Sequence, residues 1–160
     1  MAIVDYILTL ILVFICVLAL FLSLQIVLGA FFFRAKKVRI APDIARPSIT
    51  VLIPAHNEEL VIAKTLENVL LQTTEHDSIV VVVDNCTDNT KEICEGFDVK
   101  VLVREDEQNK SKGYALDYGL KDIKDVPTDS IVIVDADCLL EQNALDILAK
   151  SAIYHNRPVQ

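Results

Sequence analysis

Two aspartates one residue apart, Asp135 and Asp137 on either side of Ala136, stand directly after the apolar run 131–134. At a strand end both carboxylates can turn toward one pocket, and such oxygen ligands suit a hard divalent cation, Mg or Mn. That cation takes one or two carboxylates together with ligand phosphates. Without it, two like charges this close would repel. For the tripeptide alone, a solvated turn is the plainer alternative. A second cluster, Asp84-Asn85, follows the apolar run 79–83. A carboxylate accepts the N–H of a uracil ring or a ribose hydroxyl, and an amide both donates and accepts. An Asx turn that opens the next helix is the competing use of Asn85. Pro54-Ala55-His56 and then Glu58 follow a third run. Glu58 could accept from a ribose or base, or simply favour the positive end of a helix. Lys112 and Gly113 open a helical stretch. There the lysine supplies a point charge for phosphate, the glycine lets backbone come close, and the helix start exposes N–H donors.

These clusters need a frame that gathers them, and the hydrophobic pattern supplies one. Runs 49–53, 79–83, 99–103 and 131–134 are apolar without alternation and read as strands buried on both faces. Ile62, Leu66, Val69 and Leu70 recur at helical spacing after Asn57, the expected N-cap. A short helix is predicted over 89–95 and another over 112–123, with Leu116, Leu120 and Ile123 on one face. Leu145, Leu148, Ala149, Ala152 and Ile153 mark a fourth. The order β-α-β-α-β-α-β-α predicts an α/β, Rossmann-like domain with a mostly parallel four-stranded sheet and helices on each side. Ligands of such sheets bind beyond the carboxyl ends of the strands, where all four clusters fall. A nicotinamide enzyme would need a glycine-rich turn after the first strand, and Ile53-Pro54-Ala55-His56 offers none. A phosphatase of the haloacid dehalogenase type would carry its paired aspartates after the first strand, not the fourth.

The front of the chain is of another kind. Residues 6–33 hold no charged side chain, and Thr9, Ser23 and Gln25 are the polar exceptions. About 20 helical residues cross a bilayer core, so 1–33 is expected to be a transmembrane anchor. A cleaved signal peptide would have a basic start and a shorter core, whereas Asp5 precedes this run. Arg34, Lys36, Lys37 and Arg39 follow in a proline-bearing connector, 34–47. By the positive-inside rule they place the remaining domain, 48–160, in the cytoplasm. Asp5 aside, the net charge of −8 comes from residues after 33. So acidic a domain is a poor partner for nucleic acid. Cys16, Cys86, Cys94 and Cys138 make no C-x-x-C pair, which argues against zinc. A cytosolic setting keeps such thiols reduced.

Four segments together resemble family 2 glycosyltransferases: 51–59 (VLIPAHNEE), 81–90 (VVVDNCTDNT), 112–116 (KGYAL) and 134–137 (VDAD). They come in the family's order and cover most of residues 48–140. The resemblance implies a GT-A fold, a nucleotide-diphosphate sugar donor (a UDP-sugar first), Mg or Mn at the Asp-x-Asp pair, and inverting transfer. It implies that Pro54, Ala55, His56, Glu58, Asp84, Asn85, Lys112, Gly113, Asp135 and Ala136 line the nucleotide-sugar, and that Asp135 and Asp137 meet the metal. It also implies a lipid-linked or polysaccharide acceptor at the cell membrane. Many members carry a second aspartate where Asn85 stands. The family's catalytic acid lies well beyond the Asp-x-Asp pair, so this chain is expected to be an incomplete, donor-binding half without its base. A membrane-anchored pseudoenzyme or interaction fragment is the alternative.

Overall fold

The computed structural model describes residues 2–32 and 44–160, and the chain forms two compact units, Met1–Val38 and Arg39–Gln160. In the first, α1 (Ala2–Phe32) is a 31-residue helix. At ~1.5 Å per residue it runs about 46 Å, beyond the ~30 Å of a hydrocarbon core. Its apolar side chains from Ile3 to Leu28 are exposed. The hydroxyls of Thr9 and Ser23 donate to the carbonyls of Asp5 and Ala19, each at 2.8 Å. These polar groups are therefore satisfied within the helix, as an apolar surrounding demands. The basic cluster expected after it, Arg34, Lys36, Lys37 and Arg39, lies outside the described residues.

The second unit runs β1 (Ile49–Ala55), α2 (Ile62–Leu70), β2 (Ser78–Asp84), α3 (Thr90–Glu95), β3 (Lys100–Arg104), α4 (Lys112–Ile123), β4 (Ser130–Ile133) and α5 (Ala144–His155). The strand order is β3-β2-β1-β4 and every pairing is parallel. This is the predicted α/β architecture, with element ends displaced by a residue or two. On one face Val51, Ile53, Val81 and Val83 pack with Leu66, Val69, Cys94, Leu145 and Ala149, from α2, α3 and α5. On the other, Leu52, Val80 and Val82 meet Ala115 and Ile123 of α4. Gly119 makes that second contact close. A Cβ there would stand 2.6 Å from Leu52 Cδ1 and 2.8 Å from Val82 Cγ2.

Two expectations need correction. Burial on both faces holds for the central strands β1 and β2 but not for the edge strands β3, where Lys100 and Val103 are exposed, and β4. Val132 and Val134 are buried, whereas Ile131 and Ile133 are 41% and 49% exposed. The reason is where α4 lies: it packs on β1, β2 and β3, which leaves that side of β4 uncovered among the described residues. Asn57 is not the N-cap of α2. It sits at φ 55°, in the left-handed region, and the helix begins at Ile62 after Val61.

At the amino-terminal edge of the sheet, Asp77 ties three segments together. Its carboxylate accepts from Arg46 Nη1 (2.6 Å), Thr74 N–H (2.7 Å) and Ile49 N–H (3.0 Å). The site lies at the other edge.

Candidate functional site

Polar residues cluster at or just beyond the carboxyl ends of β1, β2 and β4, and α4 begins there. One cavity of about 430 Å³ opens at that edge. Its wall includes Pro54 and Ala55 at the end of β1 with His56 and Glu58 beyond it, Asp84 at the end of β2 with Asn85 beyond it, Lys112 at the start of α4, and Asp135, Ala136 and Asp137 after β4. The strand-end rule therefore gathers ten of the eleven expected residues. Gly113 is the exception. It lies on a neighbouring shallow depression with Ser111, Tyr114 and Asp117. A Cβ on it would meet only Ser111 Oγ, at 3.6 Å, an ordinary contact.

The Asp-Ala-Asp turn is built from the core outward. Ala136 is buried in the main core while Asp135 and Asp137 are exposed, so one small apolar residue roots the turn and sends both acids outward. Thr65 on α2 donates to the Ala136 carbonyl at 2.7 Å and fixes the turn. Ligand atoms of Asp135, Asp137 and Cys138 lie within 4.8 Å of one another. Two carboxylates on an exposed, rigidly rooted turn fit a hard divalent cation that keeps water ligands. Lys112 forms an ion pair with Asp135. Both side chains are about half exposed, and a pair of that kind is worth only ~0–1 kcal/mol, so a ligand can exchange for it.

The loops after β1 and β2 hold each other. Asn57 N–H donates to Cys86 Sγ (3.2 Å), and Asn57 Oδ1 accepts from Thr87 N–H (2.8 Å). Glu58 N–H donates to Thr90 Oγ1 at 2.8 Å, and Glu59 accepts from Asn89 N–H at 3.0 Å. Burial pushes the Asp88 carboxyl up, but the hydroxyl and N–H of Thr90 and the N–H of Glu59 outweigh it and leave the pKa lowered. Burial pushes the Cys86 thiol up, so it stays protonated at neutral pH and is no nucleophile. His56 Nδ1 lies 2.7 Å from the Asp84 carbonyl oxygen. A carbonyl only accepts, so Nδ1 carries the proton and a neutral ring leaves Nε2 as an acceptor.

Asn85, at φ 50°, spends its amide inside the protein. Oδ1 accepts from Asp106 N–H (2.8 Å) and Nδ2 donates to Asp84 Oδ1 (3.0 Å). Its expected role on the ligand thus gives way, in part, to holding the loop. Asp84 Oδ1 also accepts from Arg104 Nη1 at 2.6 Å. Among the described residues no hydrogen bond reaches Oδ2. Lys110, Ser111 and Ala115 complete the wall and were not among the eleven expected residues. Neither was Arg104, although a charged residue closing the strand Lys100–Arg104 carries the same positional signal that marked Asp84.

A parallel βα sheet that directs acids, an imidazole and a lysine to one open cavity at its carboxyl edge defines an α/β domain with a candidate ligand site there. Residues 50–158 match the family described as Glycosyl transferase family 2, and the chain belongs to that family. It is similar to the glycosyltransferase GlyA of Streptococcus pneumoniae serotype 4, at 32% identity over 114 residues, which are 69% of this chain and 16% of that protein. It is also similar to the poly-beta-1,6-N-acetyl-D-glucosamine synthase of Staphylococcus aureus (strain COL), at 30% identity over 138 residues, 78% of this chain and 32% of the synthase. The chain thus spans a third or less of these two relatives. Among solved structures, a mannosyltransferase from Pyrobaculum calidifontis, in complex with GDP-Man and Mn2+, superposes with a TM-score of 0.62 at 28% identity, covering 81% of this chain and 39% of that one. S. aureus TarS 1-349 shares the fold, with a TM-score of 0.56 at 24% identity over 68% of this chain and 33% of that one. The fold is GT-A.

Proposed function

We propose that this chain forms the donor-binding part of an inverting glycosyltransferase that uses a UDP-linked sugar and a divalent cation, Mg or Mn, and serves a lipid-linked or polysaccharide acceptor. The observation that carries the reading is the single cavity on which Glu58, Asp84, Lys112, Asp135 and Asp137 converge. Asp135 and Asp137 would hold the cation, which would neutralise the diphosphate as it leaves. Lys112 and the first N–H groups of α4 meet the phosphates. Glu58 and His56 Nε2 accept from the ribose. Asp84 Oδ2 takes the base. Because Oδ1 already accepts from Arg104 and Asn85, one acceptor oxygen remains for the base. One acceptor suits uracil, with its single ring N–H between two carbonyls, better than the paired N–H donors of guanine. In the transfer itself an acceptor hydroxyl attacks the anomeric carbon as the bond to the diphosphate breaks. None of the cavity residues is assigned as the base that takes the hydroxyl proton.

Calorimetric titration of the detergent-solubilised full chain tests the reading. UDP should bind with Mn2+ or Mg2+ present and fail to bind in EDTA, and GDP should bind more weakly. Metal-independent binding would refute the cation role, and GDP binding tighter than UDP would refute the base assignment.

We further propose that α1 anchors the chain in the cell membrane with the α/β domain in the cytoplasm. Its length, its apolar surface and the basic residues that follow support this. Cys138 is exposed, Cys94 is buried and Cys16 lies within α1, so Cys138 is the main reporter. A membrane-impermeant maleimide should label it only after the cells are permeabilised. Labelling of intact cells that disappears in Cys138→Ser would reverse the orientation.

A further inference from the structure

Arg104 makes three side-chain hydrogen bonds beside the cavity, yet it is not part of the cavity wall. It closes β3 and is 8% exposed. A buried guanidinium needs its donors paired, and here the partners lie on opposite sides of it. Nη1 donates to Asp84 Oδ1 at 2.6 Å. Nη2 donates to Asp106 Oδ2 at 2.8 Å and to the Asn109 carbonyl at 2.9 Å. The Tyr114 ring covers it, 5.6 Å from ring centre to guanidinium carbon. Asp106 in turn shapes the loop that follows. Its Oδ1 accepts from Gln108 N–H and Asn109 N–H, both at 3.0 Å, and its own N–H donates to Asn85 Oδ1. That loop leads directly into Lys110, Ser111 and Lys112 on the cavity wall.

We propose that Arg104 is a positioning residue that sets both ends of the cavity at once. One arm of its fork fixes Asp84, the carboxylate at the base end. The other fixes the loop 105–111, and through it Lys112 at the phosphate end. The inference rests on the donor-binding reading and adds to it a part for a residue that does not touch the ligand. The planar fork is what the geometry requires. A lysine could neutralise Asp84 from the same stem but could not also span Asp106 and the Asn109 carbonyl. A loop already held in its bound form binds without the entropy of ordering it.

The test compares Mn2+–UDP with Mn2+–pyrophosphate on the full chain in detergent, alongside amide hydrogen exchange. Arg104→Lys should weaken both ligands by a similar factor, about tenfold, the size of one charge-assisted hydrogen bond. Amide exchange should rise in 105–111 and stay unchanged in β1 and β2. Arg104→Met, which also releases Asp84, should weaken UDP further and pyrophosphate no further. Asp106→Asn should reproduce the Arg104→Lys pattern from the other side of the contact. Ligand binding within twofold of wild type in both Arg104 variants would overturn the proposal. So would affinity losses matched by faster exchange throughout the sheet, which would make Arg104 a support of the fold alone. If wild type bound neither ligand, the donor-binding reading would fall first and the part given to Arg104 with it. Binding by wild type that Arg104→Lys left intact would remove only the latter.

Discussion

Asp137→Ala is expected to lower the affinity for UDP in the presence of Mn2+ on the order of a hundredfold, while the fold is kept. Loss of even an indirect metal contact typically weakens a site by ~10–100-fold, so a direct ligand should sit at or above the top of that range. The side chain is exposed, and among the described residues its carboxylate enters no hydrogen bond or ion pair. Removing it therefore leaves nothing buried without a partner, and an exposed change of this sort is usually worth less than ~0.5 kcal/mol. The thermal midpoint should move by no more than about 2 °C. Asp135 makes a less clean probe, because its removal also frees Lys112. Calorimetry and thermal melts on the same preparations check both halves. If the two forms bound Mn2+–UDP equally, Asp137 would be a solvated turn residue and the cation would have to sit elsewhere.

That the two aspartates could be found without coordinates reflects how a parallel sheet works. Val51, Leu52 and Ile53, and likewise Val80 to Val83, are buried on both faces of central strands, so they appear as unbroken apolar runs whose ends are plain to see. Parallel connection then brings those ends to one edge whatever the loops do in detail. The loops were less legible. Asn57 and Asn85 take positive φ because N–H groups from Thr87 and Asp106 reach their side chains. Those donors lie 30 and 21 residues further along, and no local pattern points to them. Gly119 posed a similar problem. A glycine inside a helix reads as a weak position, and only the closeness of Leu52 and Val82 gives it a purpose. Exposure of Ile131 and Ile133 was hidden for a related reason, since the sequence does not state which strands α4 will cover.

Asp77→Ala should destabilise the α/β unit strongly without touching the site, which would separate fold from function in one protein. The Asp77 side chain is fully buried, and that of its partner Arg46 is 23% exposed. Arg46 also donates to the Gln72 carbonyl at 3.1 Å and to Thr74 Oγ1 at 2.9 Å. The carboxylate thus joins the segment before β1, the turn before β2 and the first N–H of β1. Breaking a buried ion pair on one side costs about 3–5 kcal/mol. Partial exposure of Arg46 puts the expectation at the lower end, about 3 kcal/mol, against ~5–15 kcal/mol for a whole domain. A fall of roughly 10–20 °C in the thermal midpoint follows. The dependence on acid has a definite sign. Burial pushes the Asp77 carboxyl up, but hydrogen bonds from Thr74 N–H, the Arg46 guanidinium and Ile49 N–H more than offset it, and its pKa is lowered. The folded chain thus holds this proton more weakly than the unfolded chain does. The stabilisation is complete above the unfolded carboxylate value, ~3.9, and drains away as pH falls through the lower, folded value. Asp77→Asn keeps the shape but cannot titrate, so its stability should vary less with pH below about 4 than that of wild type. Urea titrations of the full chain in detergent between about pH 5 and 2.5 would show it. Parallel curves for the two proteins would mean that Asp77 carries no net linkage. Metal-supported UDP binding by Asp77→Asn at low temperature should match wild type, because the cavity opens at the far edge of the sheet.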